Sequence, residues 1–198
     1  MLLYNNMASG NCYKVRLICA QLGLPLELHE LDVLDRSNRP ELIGALSPTL
    51  RVPTLVLDDG RPLIESNAII DYLAEGSEYL PDDAYERARA VAWQMFEQYE
   101  IEPNLAVARF HRLFGVDTSE ELRERRRIAG GKGLEALERG LVGRRFLVAD
   151  RYGVADFSLY AYVHVAAEGG FDLGAFPAIR AWIERVATQP GHILITDG

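Results

Sequence analysis

Up to about residue 75 the hydrophobic pattern switches repeatedly between strand-like and helix-like spacing, and beyond it only helical spacing persists. Leu2, Leu3 and Tyr4 form a short apolar run that reads as a strand. Over residues 11–22, Val15, Ile18, Cys19 and Leu22 recur at i, i+3, i+4 and i+7, the stripe of an amphipathic helix. Gly23 caps that helix and Pro25 stops its continuation. Residues 26–31 alternate, Leu26 and Leu28 against Glu27 and His29, as a second strand does. A short helix is expected over 40–46. The apolar runs 54–57 and 62–64 flank Asp58-Asp59-Gly60, the composition of a hairpin turn. Residues 66–74 then present Ile69, Ile70 and Leu73 on one helical face. The order βαβαββα predicts a four-stranded mixed sheet with helices on its faces.

From residue 84 onward no strand pattern returns. Ala88, Val91, Ala92, Met95, Phe96 and Tyr99 keep helical spacing along one long segment, 84 to about 114, interrupted near Pro103. Further helices are expected over 118–141, 154–167 and 177–188. The fold class is therefore α/β plus all-α: a first domain over 1–76, a linker over 77–83 and a helical bundle over 84–198. Asp156 stands three residues after Gly153, so the acidic half of a capping box is expected to reach back to the Gly153 N–H.

Bulk properties narrow the function classes. The net charge of −8 argues against a nucleic-acid partner, which needs a basic face. No stretch approaches the roughly 20 apolar residues of a membrane helix, and the N-terminal run lacks the character of a signal peptide. The two cysteines, Cys12 and Cys19, lie too far apart on one helix to bridge, which suits a reducing cytoplasm. Neither they nor the histidines at 29, 111, 164 and 192 show metal spacing, so no metal is expected. Gly130-Gly131-Lys132-Gly133 is not a phosphate loop, because Gly133 stands where Ser or Thr is needed and Arg126 replaces the first glycine. It reads as a local weakening of a helix. Residues 120–127 mix both signs, allow a Glu121–Arg125 pair and read as a solvated helix face.

Three loops carry residues with chemical potential. Ser9 precedes the first helix, with Asn11 and Cys12 just inside it. Arg51-Val52-Pro53 leads into the third strand, and Glu65-Ser66 opens the third helix. A hydroxyl at one helix N-terminus, a proline-fixed backbone edge and a Glu-Ser pair at an anion-binding helix start together suit a cysteine-containing peptide whose thiol is activated. Each also has a plainer reading. Ser9 is a good N-cap, Val-Pro a common edge-strand start, Arg51 a solvated surface residue and Glu65 a complement to a helix dipole.

The run Ser9-Gly10-Asn11-Cys12-Tyr13-Lys14-Val15-Arg16-Leu17, followed by Val52-Pro53-Thr54-Leu55, Glu65-Ser66-Asn67-Ala68-Ile69 and Gly153-Val154-Ala155-Asp156, resembles the cytosolic glutathione transferases over almost the whole chain. The subgroups most similar are the bacterial, theta, beta, zeta and nu types, with serine or cysteine in the first loop. The resemblance implies a thioredoxin-like N-terminal domain, an all-α C-terminal domain and a homodimer. It also implies glutathione as co-substrate, no permanently bound cofactor, and small hydrophobic electrophiles as partners. Ser9 then aligns with the hydroxyl that activates the thiol, with Asn11 and Cys12 as rival catalytic residues. Val52 and Pro53, with Arg51, Glu65 and Ser66, would hold the tripeptide. Tyr99, Glu102 and Arg109, on the helix that lines the cleft in relatives, are candidates for the electrophile pocket. Glutathione-dependent disulfide or peroxide reduction, centred on Asn11 or on a mixed disulfide at Cys12, is the second enzymatic reading. A non-catalytic binding protein of the same fold is the third reading.

Overall fold

Four short strands, β1 (Leu2–Asn5), β2 (Glu27–Glu30), β3 (Thr54–Val56) and β4 (Pro62–Ile64), form one sheet in the order β2-β1-β3-β4. This computed structural model describes residues 1–197. β1 pairs parallel to β2 and antiparallel to β3, and β3 pairs antiparallel to β4. The parallel pair needs a crossover, which α1 (Gly10–Leu22) supplies. The register sets Leu3 opposite both Leu28 and Leu55, and Leu55 opposite Leu63. Gly60, at φ 85°, closes the β3–β4 turn by donating its N–H to the Leu57 carbonyl at 2.9 Å. The short α2 (Arg39–Ile43) precedes β3, and α3 (Ser66–Ala74) packs against α1. The unit is the expected thioredoxin-like arrangement.

α1 departs from a simple amphipathic helix. Every residue from Cys12 to Cys19 is buried, Lys14 and Arg16 included. Part of the cover comes from the far end of the chain, because among the described residues the two compact units are 1–77 with 190–197, and 78–189. Tyr13 Oη donates to the Ile193 carbonyl at 2.7 Å, and Arg16 Nη2 to the Ile195 carbonyl at 2.6 Å. The expected helical domain of 84–198 is corrected here: residues 190–197 belong with the first unit, satisfying donors that α1 buries. Residue 198 lies outside the described residues.

The second unit is helical: α4 (Ala84–Phe96), a π-helical segment (Glu97–Ala106), α5 (Val107–Leu113), α6 (Glu120–Leu141), α7 (Val154–Val163) and α8 (Pro177–Ala187). The interruption expected near Pro103 takes the form of the π-helical segment, whose wider winding accommodates a residue that lacks an N–H and crowds the preceding turn. α7 ends earlier than expected, at Val163, and the chain tightens into a 3₁₀ turn (Ala166–Gly169) closed by Gly170 at φ 89°. α7 is buried along its whole length. Asp156 ties it to its surroundings: Oδ2 accepts from the Gly153 N–H at 3.1 Å, as the half capping box requires. Its Oδ1 accepts from Trp182 Nε1 at 2.7 Å and from the Leu147 N–H at 3.2 Å. Gly153 replaces a capping serine because a Cβ there would lie 2.6 Å from the Tyr79 carbonyl oxygen.

The glycine run does not interrupt α6, which is continuous through it. A Cβ on Gly130 would meet the Phe171 ring at 2.5 Å, and one on Gly133 would meet the Glu100 carbonyl oxygen at 3.2 Å. These glycines let α6 approach its neighbours, a tertiary demand that overrides helix propensity. The Glu121–Arg125 pair is not formed; Arg123 pairs with Glu120 and Arg127 with Glu124 one turn along.

Candidate active site

Ser9 caps α1 from an extended conformation, its Oγ accepting from the Cys12 N–H at 3.3 Å. That bond uses one lone pair and leaves the hydroxyl proton to be donated elsewhere. Cys12 is fully buried, and its Sγ accepts from the Asn6 N–H at 3.4 Å. Burial pushes its thiol up to about 11, although the Ser9 hydroxyl, the Asn6 N–H and the Arg16 charge pull the other way. Arg16 braces the loop from beneath, donating to Asn5 Oδ1 at 2.7 Å and to the Met7 carbonyl at 3.3 Å. Asn5 Nδ2 and the Met7 N–H donate in turn to Glu30.

The start of α3 gathers a second group. Ser66 Oγ donates to Asn11 Oδ1 at 3.0 Å and accepts from Lys14 Nζ at 3.3 Å. Lys14 also donates to Asn67 Oδ1 at 3.3 Å. Asn11 and Ser66 are thus joined across α1 and α3, with a buried ammonium behind them. The helix N-terminus and Lys14 both favour an anion at this place. Glu65, immediately before, holds φ 67° and ψ 112°, a region that costs a non-glycine residue of order 1–3 kcal/mol. Its exposed carboxylate makes no hydrogen bond or ion pair among the described residues.

At the third loop the Val52–Pro53 peptide is cis. Pro53 is buried, and Thr54 Oγ1 donates to the Arg51 carbonyl at 2.9 Å, which pins the turn. The Val52 N–H and C=O engage no backbone or side-chain partner among the described residues. An extended peptide finds there one free donor and one free acceptor in strand geometry. The Arg51 side chain is exposed.

The first unit therefore brings Asn11 and Ser66 into direct contact, keeps Ser9 beside Cys12, and buries Cys12. In the helical unit the three electrophile-pocket candidates differ sharply. Tyr99 is 75% exposed, while Glu102 accepts from Gln98 Nε2 at 2.7 Å. Arg109 is 8% exposed and committed to Glu168 at 2.7 Å. Lys14 and Arg16 were missed by the sequence reading. The available signal was a cation at Lys14, four residues before Ile18 and so on the inward side of α1.

The architecture is that of a thioredoxin-like α/β unit joined to a helical unit. The family profile of the glutathione S-transferase N-terminal domain matches residues 3–78, and that of the C-terminal domain matches residues 89–190. A glutathione S-transferase from Pseudomonas fluorescens Pf-5 is 44% identical, with a TM-score of 0.93 over 99% of this chain and 98% of that one. Maleylacetoacetate isomerase of Pseudomonas aeruginosa is 32% identical over 96% of this chain and 92% of its own. A glutathione transferase from Pseudomonas putida, crystallised with one glutathione disulfide per subunit, is 27% identical with a TM-score of 0.81 over 96% and 87%. The chain belongs to the glutathione S-transferase family, whose members include glutathione-binding proteins.

Proposed function

We propose that the protein binds reduced glutathione on its first unit and joins it through sulfur to an electrophilic carbon of a hydrophobic substrate. The thiol loses its proton to solvent, the thiolate forms the S–C bond, and the electron pair displaced from that carbon leaves with a leaving group or, at an activated double bond, takes up a proton. The observation that carries this reading is the convergence of Asn11, Lys14 and Ser66 at the start of α3, beside the exposed Glu65 carboxylate. The γ-glutamyl carboxylate takes the helix start and its ammonium takes Glu65. The cysteinyl backbone pairs with the Val52 N–H and C=O beside Pro53, and Arg51 takes the glycine carboxylate. Ser9 donates its hydroxyl proton to the bound sulfur, with Asn11 orienting Ser66. An unperturbed thiol has a pKa near 8.5, and each unit of depression needs about 1.4 kcal/mol, which one donor to a charged sulfur supplies.

Disulfide or peroxide reduction through Cys12 is the poorer reading, because a thiol buried and held at about 11 is neither ionised nor reachable. Tyr99, the open one of the three expected pocket residues, is the one we assign to the electrophile, since Glu102 is engaged by Gln98 and Arg109 by Glu168. A cytoplasmic homodimer is the form in which we place it. The likeness to a maleylacetoacetate isomerase favours a second reading, isomerisation by reversible thiolate addition to an activated double bond. Both readings need the same thiolate. Ultraviolet titration of the bound thiolate tests it: the wild type should lower the apparent pKa of bound glutathione below the free value. Ser9→Ala should restore about a unit or more with binding retained. An unchanged pKa in the variant removes Ser9 from the mechanism.

A further inference from the structure

The arginines at the start of α6 divide by their partners. Arg127 donates to both carboxylate oxygens of Glu124, at 2.7 and 2.6 Å. Arg123 pairs with Asp117 at 2.9 Å and with Glu120 at 3.3 Å. Arg126 is different: its Nη1 is shielded from solvent and has no hydrogen-bond partner, and no ion pair engages it among the described residues. It lines a cavity of about 360 Å³ within the helical unit, together with His111 and Arg112 of α5 and Phe171 beyond the 3₁₀ turn.

Arg112 likewise has no hydrogen bond or ion pair among the described residues. Room for it is built into the backbone, since a Cβ on Gly170 would fall 2.2 Å from its Nη1. His111, on the same wall, is held below its ordinary range first by burial and then by the charges of Arg126 and Arg123. Four arginines and two glutamates line the cavity, and both glutamates are already paired with Arg123 or Arg127. The charge left over belongs to Arg112 and Arg126. A guanidinium offers a planar fork that fits carboxylate and phosphate oxygens, and Phe171 with Ala108 adds apolar wall.

We propose that this cavity is a second ligand site, which binds a small organic anion with its carboxylate or phosphate between Arg112 and Arg126 and its apolar body against Phe171. The site stands independently of the glutathione reading. Calorimetric titration with phenyl phosphate, benzoate and inorganic phosphate at low ionic strength tests it. The wild type should bind phenyl phosphate or benzoate saturably at one site, more tightly than inorganic phosphate, and added salt should weaken the binding. The tighter of the two assigns the head group as phosphate or carboxylate. R112Q/R126Q should lose about tenfold or more in affinity. Neither substitution breaks an ion pair, so the variant should retain the wild-type circular dichroism and melting temperature. R126Q alone, which removes a buried donor lacking an acceptor, checks folding separately. Absence of saturable binding by either organic anion to the folded wild type, or unchanged affinity in the folded double variant, overturns the proposal.

Discussion

Asp156 shows how one carboxyl can serve folding rather than chemistry. Burial raises its pKa from 3.8 to about 7, while the Trp182, Leu147 and Gly153 donors pull it down. A folded pKa above the unfolded one means that the folded protein holds this proton more tightly. The stability it contributes is fully present below about pH 4 and is lost as pH rises through about 7. Asp156→Asn should destabilise the protein, because one N–H then faces an amide donor, and it abolishes this titration. The gap in melting temperature between wild type and variant should narrow from pH 4 to pH 8. A gap that stays constant or widens means the carboxyl is ionised in the fold and the three donors outweigh burial. Lys14 teaches a related lesson. Its place on the inward side of α1 was legible but its burial as an ion was not, because amphipathic reasoning turns charges outward, whereas Ser66 and Asn67 give this ammonium an inward address.

Among the elements, α6 separates propensity from packing. Gly131 has nothing within 4 Å of a would-be Cβ, whereas Gly130 faces Phe171 at 2.5 Å and Leu105 at 2.9 Å. Gly131→Ala should stabilise the protein by about 1 kcal/mol through helix propensity alone. Gly130→Ala should forfeit that gain to overpacking, which costs about 1–3 kcal/mol. Thermal melts of the two variants check the contrast, and equal stabilisation by both would show that the Gly130 contact yields freely. The strands and helices were legible because their alternation and stripes follow directly from backbone periodicity. The role of the glycine run was not, because close approach depends on residues about 30 positions away in sequence, beyond any local pattern. Pro103 announced an interruption, but its resolution into a π-helical segment depends on neighbours of the helix.

At the scale of the whole molecule, the chain's last residues return to its first unit. Residues 190–197 have no periodicity, so only the fold reveals that Ile193 and Ile195 carbonyls satisfy Tyr13 and Arg16. Deleting 190–197 removes the Ile193 and Ile195 carbonyls that accept from Tyr13 and Arg16, a loss of about 1 kcal/mol for each bond, and strips cover from α1. The deletion should lower the melting temperature of the first unit, and amide exchange in α1 should accelerate; unchanged protection there would contradict the strap. The candidate site was largely legible as loops, since Ser9, Val52-Pro53 and Glu65-Ser66 are each local motifs. What required the fold was their joining, above all the Asn11–Ser66 bond across α1 and α3. The central claim is that this joined site holds glutathione. Calorimetric titration of reduced glutathione into the wild type and Glu65→Ala/Ser66→Ala tests it most directly. Saturable one-site binding by the wild type, lost in a folded double variant, is the expected result; no binding by the folded wild type, or undiminished binding by the variant, would contradict it.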